Sequence, residues 1–217
     1  MNSEGVTGNL VPARRPRVAK RAFDLLLSSL GLVIASPVMA AIWLRIRADR
    51  DGPVLFRGQR VGLGGRVFRM YKFRTMVVNA SAIGGSSTAD NDSRITPTGK
   101  LLRHYKLDEL PQLINVLLGD MSLVGPRPQV PEEVAGYTAE ERELLTVRPG
   151  ITDWASVRFH NEGELLAGQA DPDAAYQQLI RPEKMRLGLE YVRHAGFGDD
   201  LRILWRTAAL AFGRGQG

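Results

Sequence analysis

The chain has 217 residues, 44% hydrophobic and 24% charged, with 29 Lys and Arg against 23 Asp and Glu and no cysteine. That length holds one globular domain with a sizeable core plus one additional segment, and the composition excludes a collagen-like or largely disordered chain. The absent thiols exclude disulfides, thiolate metal sites and a cysteine nucleophile, while the net charge of +6 calls for a polyanionic partner: nucleic acid, anionic lipid or a phosphorylated substrate.

Residues 1–20 read as a basic, flexible lead. Arg14, Arg15, Arg17, Lys20 and Arg21 precede an apolar segment, and Arg45, Arg47 and Arg50 follow it, a distribution that suits a membrane surface. The segment itself, AFDLLLSSLGLVIASPVMAAIWL from Ala22 to Leu44, carries one charge, Asp24. As a straight helix it is about 35 Å long, enough for a bilayer core of ~30 Å. Ser36-Pro37 lies inside it, and proline removes a backbone donor and clashes with the carbonyl four residues back, so a kink or break is predicted there. A spanning helix, a secretory signal, a buried core helix and a re-entrant helix-break-helix over 21–48 all fit this pattern. Basic residues on both flanks favour the re-entrant form, since an excess of Lys and Arg marks the cytoplasmic side. Residues 49–217 then read as one cytoplasmic domain at the membrane surface, which the resemblance given below makes the catalytic domain.

Two short strands, Val54 to Phe56 and Val67 to Tyr71, with a Gly-rich turn between them, predict a small β-hairpin. Neither GxGxxG nor GxxxxGK[ST] occurs, which leaves out the standard nucleotide-binding fingerprints. Asn79 to Arg94 reads as unstructured. A short helix begins at Thr96-Pro97, and KLDELPQLINVLLGDM supplies the strongest helical pattern, with Leu107, Leu110, Leu113, Ile114, Leu117 and Leu118 on one face and Gly119 as terminator. Further helices are predicted near Pro128, Pro182 and Asp199. The last turns Leu201, Leu204, Trp205, Ala208 and Phe212 to one side with Arg202 and Arg206 near the boundary, an arrangement equally suited to lying on a membrane and to packing on the domain. The class is α+β, mostly helical, with several short amphipathic helices.

Asp108 and Glu109 open the strongest helix, with Pro111 in its first turn. They read either as an N-cap and an acidic first turn or as a reactive carboxylate at a site for an anion. A carboxylate can act as a covalent nucleophile, but its attack on a phosphoryl group needs clustered cations or a metal. Lys72, Arg74, Arg94, Arg103, Arg127 and Arg148 are the candidate cations, Arg127 being stiffened by prolines on both sides. His104, His160 and His194 lack metal-ligand spacing. Asp92 and Asp120 fit turn caps or metal ligands.

In order along the chain, FRGQRVG, YKFRTM, DSRITPTGKLLR, LDELPQLINVLLGDMSLVGPRP and RPGIT, preceded by the apolar segment with Ser36-Pro37, resemble the bacterial sugar transferases, the monotopic polyprenol-phosphate phosphoglycosyl transferases. The resemblance runs from about Lys20 to about Ile151. It implies transfer of a sugar 1-phosphate from a nucleotide diphosphate sugar, usually a UDP-sugar, to undecaprenyl phosphate. The step is the first membrane step of exopolysaccharide, O-antigen or glycoconjugate synthesis. It further implies Asp108 as the nucleophile of a covalent aspartyl phosphosugar intermediate, and Glu109 beside it in a supporting role. Mg²⁺ is implied as cofactor with Asp108 and Glu109 as its ligands, and Lys72, Arg94, Arg103, Arg127 and Arg148 as phosphate-binding residues. The expected partners are the nucleotide sugar, undecaprenyl phosphate and inner-membrane lipid, with no nucleic acid; a homodimer stays open. The implied location is the cytoplasmic face of a bacterial inner membrane, in a monotopic, minimal catalytic form anchored by the Ser36-Pro37 helix break. After RPGIT many members continue GWAQVNGRN, whereas this chain reads DWASVRFHNEGELL, which leaves the donor sugar open. The alternative of another class is a membrane-tethered basic protein that binds nucleic acid or anionic lipid.

Overall fold

The computed structural model describes residues 11–12, 18–49, 52–83, 88–89 and 91–213. The basic lead, apart from 11–12 and 18–20, lies outside the described residues, as do Arg50 and part of the 79–94 tract. The first element, α1 (Val18–Ala48), is one helix of 31 residues that runs uninterrupted through Pro37. This corrects the expected break, and the reason is local. Pro37 has no N–H for the Val33 carbonyl four residues back, but the Ser36 hydroxyl donates to that same carbonyl at 2.7 Å. Ser36 thus supplies the bond its neighbour cannot, and the helix continues.

Asp24, Ser28, Ile42 and Ile46 are the buried residues of α1, and Gly31 and Met39 fall between them on the same stripe, at the spacing of a single helix face. That stripe is moored to the rest of the chain at both ends. Near its start, Arg21 donates to the carbonyls of Val116 and Leu117. Asp24 accepts from the Ser122 hydroxyl and the Leu123 amide, and Lys20 pairs with Asp200 at 2.9 Å. Near its end, Ile42 and Ile46 pack with Val54, Phe73 and Leu102, joined by Met39 and Leu107. The opposite face carries Leu26, Leu30, Val33, Ile34, Val38 and Leu44, all exposed. By length and composition α1 is the one helix among the described residues able to cross a bilayer.

The hairpin consists of β1 (Leu55–Val61) and β2 (Val67–Phe73), antiparallel from Leu55↔Phe73 to Val61↔Val67. It is longer than predicted because the polar FRGQRV run continues the strand. The tract read as unstructured is ordered where described. It holds α2 (Ala80–Ile83) and the buried Ala89 and is flanked by a bridge between Met76 and Ile95, with an Arg94 guanidinium that donates to Asp92 and to the Ala80 carbonyl. Thr96 caps α3 (Pro97–His104) by accepting from the Gly99 amide at 2.9 Å, as the Thr-Pro signal predicts.

A 3-10 turn over Leu107–Glu109 leads into α4 (Gln112–Leu118), which Gly119 ends at φ 91°. The buried side of α4 is Gln112, Asn115 and Val116; Leu113 turns towards α1 instead, where a Cβ at Gly31 would meet its methyl at 3.3 Å, and Leu118 is exposed. The region after α4 contains a parallel pair that local pattern does not reveal, β3 (Ser122–Val124) with β4 (Gly150–Thr152), in register Ser122↔Gly150 and Val124↔Thr152. Helices α5 (Pro131–Ala135), α6 (Trp154–Arg158), α7 (Glu162–Leu166), α8 (Pro172–Ala175), α9 (Arg181–His194) and α10 (Phe197–Gly213) complete the chain. The main core gathers Val61, Met70, Val116, Met121, Val124 and Ile203 with residues of α9. In α10, Ile203 is buried and Leu204 half-buried, whereas Leu201 and Trp205 face outward; the Phe212 side chain lies outside the described residues. The single apolar face predicted for α10 is therefore divided between core and surface.

The two strands of the parallel pair meet where neither chain has a side chain: a Cβ at Gly150 would stand 2.1 Å from the Gly125 amide nitrogen. Gly150→Ala should lower the thermal midpoint by about 3–10 °C, from an overpacking cost of ~1–3 kcal/mol. Gly198→Ala in α10, which meets nothing within 4 Å, should leave the midpoint level or higher. Equal midpoints for wild type and Gly150→Ala in a melting experiment would contradict this packing.

Candidate active site

The acid pair sits in the 3-10 turn, not at the cap of α4. Lys106 precedes the turn with φ 57°, the turn spans Leu107–Glu109, and Pro111 stands in the capping position of α4 with no side-chain capping bond. The expected N-cap role of Asp108 is thereby corrected: proline at the helix mouth has no N–H to receive, and Asp108 has been drawn one turn earlier. It is 5% exposed, and its Oδ1 is buried with no hydrogen-bond partner.

Asn115 brings β2 to this turn. Fully buried, it accepts from the Tyr71 amide at 2.9 Å and donates to the Arg69 carbonyl at 2.8 Å and to Asp120 at 3.2 Å. The strand clamped this way presents Lys72, whose ammonium lies 2.7 Å from Glu109 Oε1 and 3.9 Å from Asp108 Oδ2. The second cation comes from the GPRP loop. The Gly150 amide donates to Pro126 O at 3.0 Å and the Gly125 amide to Thr152 O at 3.1 Å. The Arg127 amide donates to Asp153 Oδ2 at 3.2 Å, while Asp153 Oδ1 caps α6 at the Ser156 amide. Fixed there, the Arg127 guanidinium donates through Nη2 to Glu109 Oε1 and through Nη1 to Oε2 at 3.5 Å.

The two neighbouring acids therefore live in opposite surroundings. Burial alone pushes the Glu109 carboxyl up, but Arg127 and Lys72, by charge and by hydrogen bonding, outweigh it and hold the group well below the usual carboxylate range. Arg127 is raised in turn by the Glu109 charge. Asp108 goes the other way: burial raises it, Lys72 opposes, the Glu109 charge adds to the rise, and Arg103 and Lys106 counter it. One carboxylate is ionised and held by two cations; the other is desolvated with an oxygen left over.

Of the other predicted cations, Arg103 is near enough for its charge to act on Asp108 and donates through Nε to Thr75 Oγ1 at 3.2 Å. Arg94 is 9% exposed and gripped by Asp92, and Arg148 donates to the Gly119 carbonyl at the far end of α4. The structure does not bring these two to the acid pair. Asp92 and Asp120 are hydrogen-bonded as described, and among the described residues no group of three or more His, Cys, Asp or Glu gathers. Sequence reading missed Asn115 and Asp24 as ties and Asp153 as the support of Arg127. A polar residue inside LINVLL and a lone acid in an apolar helix are the signals that mark the first two.

A family model described as "Bacterial sugar transferase" matches residues 15–214. The chain is 35% identical over 95% of its length to the undecaprenyl-phosphate galactose phosphotransferase of Salmonella typhimurium, of which it covers 43%. It is 36% identical over 90% of its length to the UDP-glucose:undecaprenyl-phosphate glucose-1-phosphate transferase of Escherichia coli, of which it covers 40%. Against the exopolysaccharide production protein PSS of Rhizobium leguminosarum bv. phaseoli, identity is 36% over 92% of the chain and 98% of that protein. The chain thus spans about two fifths of the first two relatives and nearly all of the third.

The asymmetry of the acids has a measurable consequence. Glu109→Gln leaves Lys72 and Arg127 without their shared charge and should cost about 3–5 kcal/mol of stability, whereas Asp108→Asn should be neutral or stabilising. Because the Glu109 pKa is depressed on folding, its contribution is present above the unfolded value of about 4.3 and is lost as pH falls through the folded value. The gap between wild type and Glu109→Gln in thermal unfolding should therefore be widest near neutrality and close in acid. A larger loss for Asp108→Asn than for Glu109→Gln would contradict the assignment.

Proposed function

The chain belongs to the bacterial sugar transferase family, and from that premise we propose that it moves a sugar 1-phosphate from a nucleotide diphosphate sugar, a UDP-sugar above all, to undecaprenyl phosphate. The observation that carries the reading is the pairing of a doubly held Glu109 with a buried Asp108 whose Oδ1 has no partner. Asp108 attacks the phosphorus that bears the sugar, and the bond to the nucleotide phosphate breaks. The nucleoside monophosphate leaves with the electron pair, and an aspartyl phosphosugar remains. The phosphate of the lipid acceptor then attacks the same phosphorus and regenerates the carboxylate. Lys72, Arg103 and Arg127 offset the anionic charge that would otherwise oppose both attacks. Glu109 holds Lys72 and Arg127 in position.

Mg²⁺ fits this site through Asp108 Oδ1, since the ion is commonly held by one or two carboxylates together with substrate phosphates and water. Ligation by Glu109 would require Lys72 or Arg127 to release an oxygen. When bound, the ion supplies neutralisation of the diphosphate.

We further propose a monotopic seat on the cytoplasmic face of the bacterial inner membrane. The structure supports it through the moorings of α1, whose first and last turns both bind the same domain. A helix crossing the bilayer away from that domain would have to give up one set of moorings. With its exposed leucine and valine face in lipid, the continuous α1 instead lies along one leaflet and keeps both ends on one side. A salt-sensitive basic binding protein agrees less well with the structure, because Lys20, Lys72, Arg94, Arg127, Arg181 and Lys184 are all ion-paired with acids.

Purified protein given UDP-sugars, Mg²⁺ and polyprenyl phosphate should release UMP, and Asp108→Asn should lower the rate by about a thousandfold or more. Absence of UMP with every donor, or full activity in Asp108→Asn, would refute the reaction. Lys72→Met removes the charge that most opposes the rise of Asp108, so the acid limb of its residual pH–rate profile should move to higher pH; a limb that stays or moves down would exclude Asp108 as the titrating group. Cysteines at Gly8 and Gly215 should both be labelled from the cytoplasmic side. Labelling from opposite sides would remove the monotopic placement.

A further inference from the structure

The proposed reaction produces a nucleoside monophosphate whose phosphate gains a charge as it leaves, and the two cations that touch the acid pair, Lys72 and Arg127, are engaged with Glu109. One further arginine stands in line with them. Cross-strand partners share a face of a hairpin, and the pairs Phe56↔Lys72, Gly58↔Met70 and Arg60↔Phe68 put Arg60 on the same face as Lys72. Between them Gly58 has no side chain of its own, and its place is covered by the Phe56 ring, 2.6 Å from where a Cβ would be, and by the Arg60 guanidinium, with Nη1 at 3.2 Å. The end of β1 is tied to the loop of Arg127: the Val61 amide, next to Arg60, donates to the Gln129 carbonyl at 2.9 Å. Lys72, Arg127 and Arg60 thus form a row, with Glu109 between the first two.

Arg60 differs from its neighbours in what it binds. Its one hydrogen bond among the described residues goes from Nη1 to the adjacent Gln59 carbonyl at 2.7 Å. No carboxylate of the described residues lies within ion-pair distance of it, although Glu132 and Glu133 act on it from α5 at longer range. It is half-buried, and burial together with the nearby positive charge of Arg127 pulls its pKa down. A guanidinium without an ion pair, within reach of the charge of a second one, makes a place for an anion, because a phosphate there offsets the repulsion and accepts the unused N–H donors.

We propose that Arg60 binds the phosphate of the departing nucleoside monophosphate, as a substrate-contacting residue at the outer end of the Lys72–Arg127 row. The inference rests on the phosphoglycosyl transfer proposed above. In the attack by Asp108 the donor diphosphate, carrying two negative charges, becomes a phosphosugar ester with one and a nucleoside monophosphate with two, so the charge that develops lies on the leaving phosphate. Arg60 meets it there, while Arg127 and Lys72 stay with Glu109 and the phosphorus under attack.

Calorimetric binding of UMP to the full chain in detergent or nanodiscs, alongside product inhibition by UMP, reads this directly. Arg60→Gln should weaken UMP binding and raise its inhibition constant by about tenfold or more, with Arg60→Lys in between, and with melting temperatures close to wild type. UMP binding within about twofold of wild type in both variants would overturn the role of Arg60 while leaving the transferase reading intact. If the wild-type chain neither binds UMP nor releases it from any donor, the transferase reading fails and the role of Arg60 fails with it. Should Arg60→Gln melt early, Arg60→Lys carries the comparison, since it keeps the charge and loses the forked donor geometry.

Discussion

Glu109, held between Lys72 and Arg127, is the contact on which the rest of the site depends. It is a carboxylate largely withdrawn from water, and such a group is tolerated only when its charge is matched and its oxygens are filled. The two cations that match it arrive from distant parts of the chain, one on a hairpin strand and one on a loop between two prolines. Each is delivered by backbone that has its own clamp: Asn115 for β2, and the Gly125 and Gly150 contact with Asp153 for the GPRP loop. With Glu109 satisfied, Asp108 is the acid that remains available. The pair works as a division of labour in which one carboxylate organises positive charge and the other is exposed to it without being consumed by it.

The second constraint is the long apolar helix. α1 lies along the Leu107 to Leu118 stretch in the opposite direction, with Arg21 over the last carbonyls, Gly31 against Leu113 and Met39 near Leu107. The long apolar helix is thus also one wall of the segment that carries Asp108. Two of its polar residues are turned inward: Asp24 is buried on β3, and Ser28 is fully buried on the same stripe. The outward side is mostly apolar, with Arg45 and Arg47 exposed near its end, and the segment that carries Asp108 packs against the inward side.

How much of this was legible in the sequence differs by element, for physical reasons. Helix starts marked by Thr96-Pro97, Pro182 and Asp199, and the hairpin with its glycine turn, follow from short-range rules and appear where those rules put them. The leucine ladder of α4 was legible as a helix, but its neighbour was not. Periodicity shows that a face is covered, not by what, and here the cover is α1, with Gln112 and Asn115 turned inward. The continuity of α1 through Pro37 was hidden because the donor that replaces the proline N–H is a side chain one residue away. The β3–β4 pair was invisible, since each strand has three residues and their pairing joins segments far apart in sequence. Lys72, Arg103 and Arg127 converge on the acid pair as the motifs implied. Arg94 and Arg148 sit in equally basic motifs but satisfy Asp92 and the end of α4, a distinction that only three-dimensional placement makes.

The proposed reaction requires a carboxylate oxygen of Asp108 to receive the phosphosugar. Wild-type protein exposed to a panel of UDP-sugars with Mg²⁺ and no lipid acceptor, then quenched and mapped by mass spectrometry, tests it most directly. The account expects a gain equal to one sugar phosphate on the peptide that contains Asp108, lost on adding polyprenyl phosphate. A gain on any other residue, or turnover of the donor with no adduct at all, would contradict it.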